Sequence, residues 1–229
     1  MRGILYGVGV GPGDPKLMTI LAVETITACP VLAVPADGKD RAVSYKIAAG
    51  IVKDIDKKEC LNLVTPMTKD KAVLESAYEK AADQIAEKLE EGKSVAYLTL
   101  GDPTIYCTYI YIHRLLKERG YQAEIINGVP SFCAVSAGLS DSLVDRSEQL
   151  HVIPSTYDIE EALALPGTKV LMKAASKMPE VKRILREKGL RGTMIENCGM
   201  ENEKRYASVD EIPEHPSYYS VIVVKESHD

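Results

Sequence analysis

The stretch Tyr97-Leu-Thr-Leu-Gly-Asp-Pro-Thr-Ile-Tyr106 decides the fold class of this chain. Its first four residues have the apolar character of a buried strand, Gly101-Asp-Pro103 has turn composition, and an amphipathic segment follows. This order predicts a strand, a tight turn and a helix. Residues 4–10 lead into Gly11-Pro-Gly-Asp-Pro15 in the same way. Because ligands bind beyond the carboxyl ends of strands in open α/β sheets, the two loops predict one shared ligand site.

Strand-like and helix-like segments alternate along residues 3–126, which predicts a largely parallel sheet. The most regular helix is expected over residues 70–91, where apolar residues recur every four positions from Val73 to Leu89 and Gly92 ends the pattern. The predicted strands of this series are 3–10, 31–34, 60–64, 94–100 and 122–126, and the predicted helices are 16–28, 41–53, 70–91 and 105–119.

A second series of segments begins at residue 150 and ends differently from the first. No helix separates the last two strand-like segments, only Pro213 and Pro216, so an antiparallel ending is expected. We place a domain boundary near residues 128–131, giving an N-terminal α/β lobe over 1–129 and a C-terminal α/β lobe over 130–229. The predicted strands of the second series are 150–154, 168–173, 192–196, 204–208 and 218–225, and the predicted helices are 158–164 and 178–188.

Composition excludes several classes of protein. The 229 residues are 45% hydrophobic and 27% charged, as in an ordinary soluble globular protein. A formal net charge of -5 argues against general nucleic-acid binding, which needs a basic face. No apolar run reaches the roughly 18 residues that span a membrane, and the N-terminal residues contain no signal-peptide core. We therefore expect a cytoplasmic protein without nucleic-acid or membrane partners.

The cysteines and histidines show no metal-ligand spacing. Five scattered cysteines without a C-x-x-C pair predict neither structural disulfides nor a zinc cluster, and the four histidines lack H-x-x-x-H spacing. We expect no protein-bound metal. The residues concerned are Cys29, Cys60, Cys107, Cys133, Cys198, His113, His151, His215 and His228.

The glycine-rich loops are not those of a nucleotide-binding motif. The N-terminal glycines never fall in G-x-G-x-x-G register, and no G-K-[ST] follows them, which argues against a Rossmann dinucleotide site and a Walker A loop. Asp102 and Pro103 could simply cap the next helix. Alternatively, Gly101 permits close approach of backbone to a ligand, and Asp102 accepts a hydrogen bond from it. Proline-marked loops at three strand ends, with Pro12, Pro103 and Pro130, favour the ligand site.

Three motifs occur in the order found in a known family. Gly9-Val-Gly-Pro-Gly-Asp-Pro15, Leu100-Gly-Asp-Pro103 and Gly128-Val-Pro-Ser131 resemble motifs of the tetrapyrrole methyltransferases that use S-adenosylmethionine (SAM), and the resemblance covers nearly the whole chain. Thr65-Pro-Met-Thr-Lys-Asp70 and the segment 101–111 look most like the branch that methylates precorrin-2 at its C-20 meso carbon in cobalamin biosynthesis. The resemblance therefore implies SAM-dependent methyl transfer.

The resemblance also implies a fold, an assembly and a set of contacts. It implies a two-lobed fold with a mostly parallel N-terminal sheet, a mixed C-terminal sheet and SAM in a cleft between the lobes, and it implies a homodimer. S-adenosylhomocysteine (SAH) would be the product. No catalytic side chain is assigned. The residues expected to contact SAM are Val10, Pro12, Gly101, Asp102, Ile105, Ser131 and Phe132 by motif, and Leu171, Met172, Cys198, Gly199 and Met200 by position alone.

The substrate stays open at this point. The alternatives are a sister enzyme acting on uroporphyrinogen III or a later precorrin, diphthine synthase, and a binding module for SAM or a tetrapyrrole without turnover. A tetrapyrrole with eight carboxylates needs cations, and tyrosines could hydrogen-bond its propionates or stack on its ring, although at least one of three neighbouring tyrosines should be core. The candidates are Lys16, Arg41, Lys173 and Lys177, each of which could be ordinary surface, and Tyr106, Tyr109 and Tyr111.

Overall fold

The computed structural model describes residues 1–36, 38–154 and 157–226. The chain divides into two compact units, Met1–Pro130 and Ser131–Asp229. None of the helices in the described ranges is long and apolar enough to cross a membrane.

The first unit is a parallel sheet covered by helices. Its sheet has the strand order β3-β2-β4-β1-β5, and all neighbouring strands run parallel, as the alternation of segments predicts. Short 3-10 turns at Pro15–Leu17, Lys39–Arg41 and Ile55–Lys57 complete it. The elements are β1 (Leu5–Gly9), α1 (Ile20–Ala28), β2 (Val31–Val34), α2 (Val43–Ala49), β3 (Glu59–Asn62), α3 (Lys71–Glu90), β4 (Val95–Thr99), α4 (Tyr109–Glu118) and β5 (Ala123–Ile126).

The connections that follow β1 and β4 lie on opposite faces of this sheet. Helices α1 and α2 pack with Val8 and Leu98 on one face, whereas α3 and α4 pack with Leu5 and Tyr97 on the other. Strands β1 and β4 are neighbours in the sheet. Open α/β sheets bind ligands beyond the carboxyl ends of strands at such a switch point. The fold therefore marks the loops after β1 and β4 as the place for a ligand.

Helix α3 closely matches the sequence-based expectation. The Asp70 carboxylate accepts hydrogen bonds from the backbone N–H groups of Ala72 and Val73 at 3.0 and 3.3 Å, which starts the helix. Gly92 follows its last turn with a φ of +76°, a conformation that favours glycine. Ile85 and Leu89 lie on its buried face, as the four-residue repeat predicts.

Helix α4 begins at Tyr109 and not at residue 105, so the prediction of its start is wrong. Tyr106 has a φ of +46°, which a right-handed helix cannot contain. Asp102 also does not cap this helix, because its Oδ1 accepts the backbone N–H of Thr104 at 2.8 Å and closes a turn before it. Residues 103–108 therefore form a turn, and the Gly-Asp-Pro loop is longer than the sequence indicates.

The second unit contains a mixed sheet in the order β6-β7-β10-β8-β9. Strands β6 and β7 are parallel, and the remaining pairs are antiparallel, which confirms the expected antiparallel ending. A 3-10 turn occurs at Ala175–Lys177. The elements are α5 (Ser131–Gly138), β6 (Leu150–Pro154), α6 (Ile159–Ala164), β7 (Thr168–Met172), α7 (Met178–Glu187), β8 (Arg191–Glu196), β9 (Lys204–Tyr206) and β10 (Ser220–Lys225).

Helix α5 is absent from the sequence-based expectation. Its eight residues, Ser-Phe-Cys-Ala-Val-Ser-Ala-Gly, carry no charge and show no apolar stripe of helical period. Phe132 and Val135 are buried in it. Tertiary packing, and not an amphipathic pattern, accounts for this helix.

Candidate active site

The loops that follow β1 and β4 lie side by side at the switch point. The N–H of Gly101 donates to the carbonyl oxygen of Gly11 at 2.8 Å, and the N–H of Gly11 donates to that of Gly101 at 3.3 Å. Both glycines have a positive φ, +77° at Gly11 and +69° at Gly101, which residues with side chains rarely adopt. The prediction that these two loops lie together is confirmed.

The loop after β5 packs against the same place, where Gly9 of β1 and Gly128 of this loop are needed although neither has a positive φ. A Cβ at Gly9 would lie 2.6 Å from both the Gly101 carbonyl oxygen and the Gly128 nitrogen. A Cβ at Gly128 would overlap that same carbonyl oxygen. Gly9 and Gly128 are therefore required by the close approach of three chain segments.

The Asp102 carboxylate joins the loops after β4 and β5. Its Oδ1 accepts the backbone N–H and the hydroxyl of Thr104, and its Oδ2 accepts Asn127 Nδ2 at 3.1 Å and the Gly128 N–H at 3.0 Å. The residue is only 6% exposed. Burial raises the pKa of this carboxyl, but the hydrogen bonds from Thr104, Asn127 and Gly128 outweigh burial and hold the pKa below its usual value. Asp102 is therefore a buried carboxylate in its charged form.

The tyrosines that follow Asp102 separate into one core residue and two surface residues. Tyr109 is fully buried, and its hydroxyl donates to the Glu124 carbonyl oxygen at 2.7 Å. Tyr106 and Tyr111 are 47% and 49% exposed. Tyr111 stacks on Tyr78 of α3, with ring centroids 5.0 Å apart and planes within 1° of parallel. The expectation that at least one of the three belongs to the core is confirmed.

In the second unit, residues with an unusual backbone conformation follow two strands that end close together. Met172 and Ile195 both pair with Val221 of β10, so β7 and β8 end at one edge of the sheet. Each strand is followed by a non-glycine residue with positive φ, Lys173 at +59° and Asn197 at +55°. Such strained conformations persist where the surrounding structure holds them and are frequent at functional sites.

Glu196 organises the chain beside Asn197. Its Oε1 accepts the Ser217 N–H at 2.8 Å, and its Oε2 accepts the Tyr206 hydroxyl at 3.0 Å. Burial raises the pKa of this carboxyl, yet the hydrogen bonds from the Ser217 backbone, the Tyr206 hydroxyl and the Ser217 side chain, together with the positive charge of Lys204, hold the pKa below its usual value. The Asn197 Oδ1 accepts the Ser217 hydroxyl at 3.1 Å. The loop that contains Cys198 is thus fixed at its first residue.

The residues expected to contact SAM lie at strand ends or at the start of a helix. Val10 is fully buried, and its backbone N–H donates to the Thr99 carbonyl oxygen at 3.0 Å; Leu171 is likewise a core residue at 1% exposure. Cys198 has its pKa raised to about 11, mainly by burial and also by Glu203, so its thiol is neutral. The remaining residues are Pro12, Gly101, Asp102 and Ile105 in the first-unit loops, Ser131 and Phe132 in the first turn of α5, and Met172, Gly199 and Met200 at the second-unit edge.

The chemistry of these groups fits SAM. SAM has a flat adenine, a ribose with two hydroxyls and an amino-acid end. The loops offer glycine backbone at Gly11 and Gly101, where no Cβ blocks approach, together with the apolar side chain of Ile105. Within residues 1–36, 38–154 and 157–226, no group of three or more His, Cys, Asp or Glu is placed to hold a metal ion.

The candidate cations differ in their surroundings. Lys16, Arg41 and Lys173 are exposed. Lys177 is half-buried, and its Nζ donates to the Tyr157 carbonyl oxygen at 3.0 Å. The segment 65–70 follows β3, and its Met67 is almost fully exposed. Pro66 of this segment lines a groove of about 620 Å³ against α3, together with Val73. No residue expected to contact SAM lines this groove.

Sequence reasoning misses two organising residues. Asn127 stands in the predicted loop after β5, but the pattern gives no reason to pair it with an aspartate 25 residues earlier. Glu196 ends a predicted strand, where an acidic residue has no special meaning. Each depends on contacts between segments distant in sequence.

Comparison with known proteins identifies the family. The family described as Tetrapyrrole (Corrin/Porphyrin) Methylases matches residues 4–213, and the chain belongs to this family. The probable cobalt-precorrin-2 C(20)-methyltransferase of Methanocaldococcus jannaschii is 35% identical over 96% of this chain and 95% of its own length. The precorrin-2 C(20)-methyltransferase of a Sinorhizobium species is 29% identical over 97% of this chain and 95% of its own length.

Solved structures agree at the level of the fold. The crystal structure of a cobalt precorrin-4 methyltransferase superimposes with a TM-score of 0.77 at 20% identity, covering 97% of this chain and 94% of that chain. The uroporphyrin-III C-methyl transferase of Thermus thermophilus in complex with SAH gives a TM-score of 0.70 at 19% identity, covering 98% of each chain. The tetrapyrrole methylase fold expected from the three motifs is confirmed.

Proposed function

We propose that this protein transfers a methyl group from SAM to the C-20 meso carbon of precorrin-2, or of its cobalt complex, in cobalamin biosynthesis. The observation that carries the proposal is similarity to C(20)-methyltransferases over nearly the whole chain, at 35% identity with the Methanocaldococcus protein. This similarity favours C-20 over the other positions that tetrapyrrole methylases modify. The same similarity favours a tetrapyrrole over the protein substrate of diphthine synthase, and membership in a family of methylases argues against a binding module without turnover.

SAM supplies an electrophilic methyl group on a sulfonium, and the reduced tetrapyrrole supplies an electron-rich carbon. The protein must therefore hold the two reactants in line and exclude water, and it needs no nucleophile of its own. Correct orientation alone is worth about 7 to 11 kcal/mol in well-ordered intramolecular reactions. We assign this positioning to the backbone of the three converging loops, because their glycines fix one another at close range.

The residues proposed to hold SAM come from both units. In the first unit, Val10, Pro12, Gly101 and Ile105 would meet it through backbone atoms and apolar side chains. From the second unit we propose Ser131, Phe132, Leu171, Met172 and the segment 198–200, whose positions at strand ends or a helix start support the assignment. Backbone recognition explains why these positions carry few charged side chains.

The direct test is an anaerobic incubation of the protein with SAM and precorrin-2, in metal-free and cobalt forms side by side. We expect the product to gain one methyl group, located at C-20 by NMR. The form that reacts preferentially shows whether the substrate is metal-free or already contains cobalt. A product methylated at another carbon would contradict the proposal and move the protein to a sister activity. If neither form gives a methylated product although the protein binds SAH, only the fold and the identity of the methyl donor would remain supported.

A matched pair of variants tests the role of the loop backbone. Gly101→Val places a side chain on a positive-φ residue inside the loop cluster, and Gly120→Val does the same at the end of α4, where a Cβ meets nothing within 4 Å. Both carry similar backbone strain. We expect Gly101→Val to lose methyl transfer and Gly120→Val to retain it. Full activity of Gly101→Val would contradict the close-approach assignment.

We further propose a homodimer located in the cytoplasm, as the family resemblance implies. None of the five cysteines forms a disulfide bond, which fits a reducing compartment. Light scattering after gel filtration would measure the assembly, and a monomer at micromolar concentration would contradict the dimer.

A further inference from the structure

We propose that Asp102 is a positioning residue: its carboxylate ties the loop after β5 to the loop after β4, and thereby places the backbone that binds SAM, without itself contacting the ligand. The inference rests on the proposed function, because its consequence is an effect on SAM and SAH binding. It replaces the role that the family motif implies for this side chain.

The hydrogen-bonding capacity of the carboxylate is already used within the first unit. Each carboxylate oxygen has two lone pairs, and each accepts two hydrogen bonds from the chain itself. Thr104 supplies two donors to Oδ1, and Asn127 and Gly128 supply one each to Oδ2. With 6% of the residue exposed, no oxygen is left facing outward to accept a hydroxyl or an amine of a ligand.

The same hydrogen bonds fix the relative position of three chain segments. Gly128 N is held to Oδ2, while Gly101, the residue before Asp102, is paired through its backbone to Gly11. Moving the carboxylate would release the Gly128 loop, which packs against the Gly101 carbonyl oxygen without space for a Cβ. The loops after β1, β4 and β5 therefore share one buried anchor.

Only a carboxylate satisfies this set of donors. Oδ1 faces the N–H of Thr104 and Oδ2 faces the N–H of Gly128, and a backbone N–H cannot reverse its polarity. An asparagine at this position has one oxygen and one NH2 group, so either orientation points the NH2 group at an N–H. Asp102→Asn, although equal in size, must therefore loosen one of the two loops.

The experiment compares several ligands on wild-type protein and on Asp102→Asn. The three probes, compared with SAH itself by calorimetry, are S-inosylhomocysteine, which lacks the adenine amine, 5′-methylthioadenosine, which lacks the amino-acid end, and the 2′,3′-dideoxy analogue of SAH, which lacks the ribose hydroxyls. A positioning residue weakens all three by the same factor, which we expect to be about tenfold or more. A contact residue loses its effect on the one probe that lacks the contacted group, and that result would overturn the inference.

Two further variants keep the test decisive. Asn127→Ala removes one donor from Oδ2 without changing the charge, and we expect a smaller weakening that is again equal for the three probes. Asp158→Asn is the matched control, because Asp158 caps α6 through a single oxygen, with Glu161 N as donor, and should leave SAH affinity unchanged. Unchanged affinity in both Asp102→Asn and Asn127→Ala would also overturn the inference. If the wild-type protein binds no SAH, the proposed function is wrong, and the inference that rests on it is wrong as well.

Discussion

Each unit of this protein holds a buried carboxylate at the carboxyl end of a strand, but the two carboxylates face different donors. Asp102 after β4 has a backbone N–H on each oxygen, from Thr104 and from Gly128. Glu196 at the end of β8 has one backbone N–H, from Ser217, and one hydroxyl, from Tyr206. A hydroxyl can donate or accept, whereas an N–H can only donate.

This difference determines whether each carboxylate can be replaced by the corresponding amide. Glutamine at position 196 can place its oxygen at the Ser217 N–H and its NH2 group at the Tyr206 hydroxyl, which turns to accept. Asparagine at position 102 has no orientation that serves both N–H donors. Both carboxyls have a lowered pKa, yet they are predicted to respond differently to the same chemical change.

The largest expected effect comes from the glycine packed beside the Asp102 anchor. Gly128→Ala forces a Cβ onto the Gly101 carbonyl oxygen, and backbone cannot move aside as a flexible side chain can. We expect a loss of about 3 kcal/mol in the free energy of unfolding, together with loss of SAH binding. Urea unfolding followed by circular dichroism measures the first, and calorimetry the second.

Gly120→Ala is the matched control for that variant. Gly120 has a φ of +82°, and a Cβ added there would meet nothing within 4 Å, so the substitution costs backbone strain alone, about 1 kcal/mol. SAH affinity should be unchanged. Equal losses at Gly120 and Gly128 would mean that close packing of the loops is not what Gly128 provides.

The next largest effect is expected for Asp102→Asn. One buried N–H, of Thr104 or of Gly128, loses its acceptor, and such a group costs about 2 kcal/mol. The free energy of unfolding, measured at pH 7 in urea, should fall by about that amount. A variant as stable as wild type would show that the loop relaxes and that water takes over the lost hydrogen bond.

Glu196→Gln should cost less, under about 1 kcal/mol, because both hydrogen bonds survive and only the charge is lost. The same urea experiment measures it. Tyr206→Phe alone breaks the hydrogen bond to Glu196 Oε2 and leaves a charged oxygen without its donor, so combining it with Glu196→Gln should cost less than the sum of the two single changes. If Glu196→Gln alone lowers the free energy of unfolding as much as Asp102→Asn does, the distinction between N–H and hydroxyl donors is wrong.

The same contrast explains how far the sequence predicts the candidate site. The parallel first sheet and the pairing of the Gly11 and Gly101 loops follow from local patterns of apolar residues, glycine and proline. Glu196 and its loop have no such pattern, because the donors to Glu196 come from Tyr206 and Ser217, and only the folded chain brings them together. Motifs therefore predict the first-unit loops and the first residues of α5, whereas Leu171, Met172 and residues 198–200 follow from position alone.

Two errors in the predicted fold have identifiable causes. The sequence pattern misplaces the start of α4 because nothing in it marks Tyr106 as a left-handed residue. It misses helix α5 because eight uncharged residues give no amphipathic period. In both places tertiary contacts override the local pattern, and both lie directly beside residues proposed to hold SAM.

The smallest effect is expected on the pH dependence of stability. A carboxyl whose pKa is lowered in the folded state contributes stability that is complete above its unfolded value and is lost as pH falls through the folded value. Asp102 has its pKa lowered from an ordinary 3.8, so the stability difference between wild type and Asp102→Asn should shrink between about pH 5 and about pH 3. The difference for Glu196→Gln starts smaller and should change less over the same interval. Urea unfolding at several pH values measures both stability differences. If the stability difference between wild type and Asp102→Asn widened on acidification, the Asp102 carboxyl would bind its proton more readily in the folded protein than in the unfolded chain. That result would contradict the role given to the hydrogen bonds that surround it.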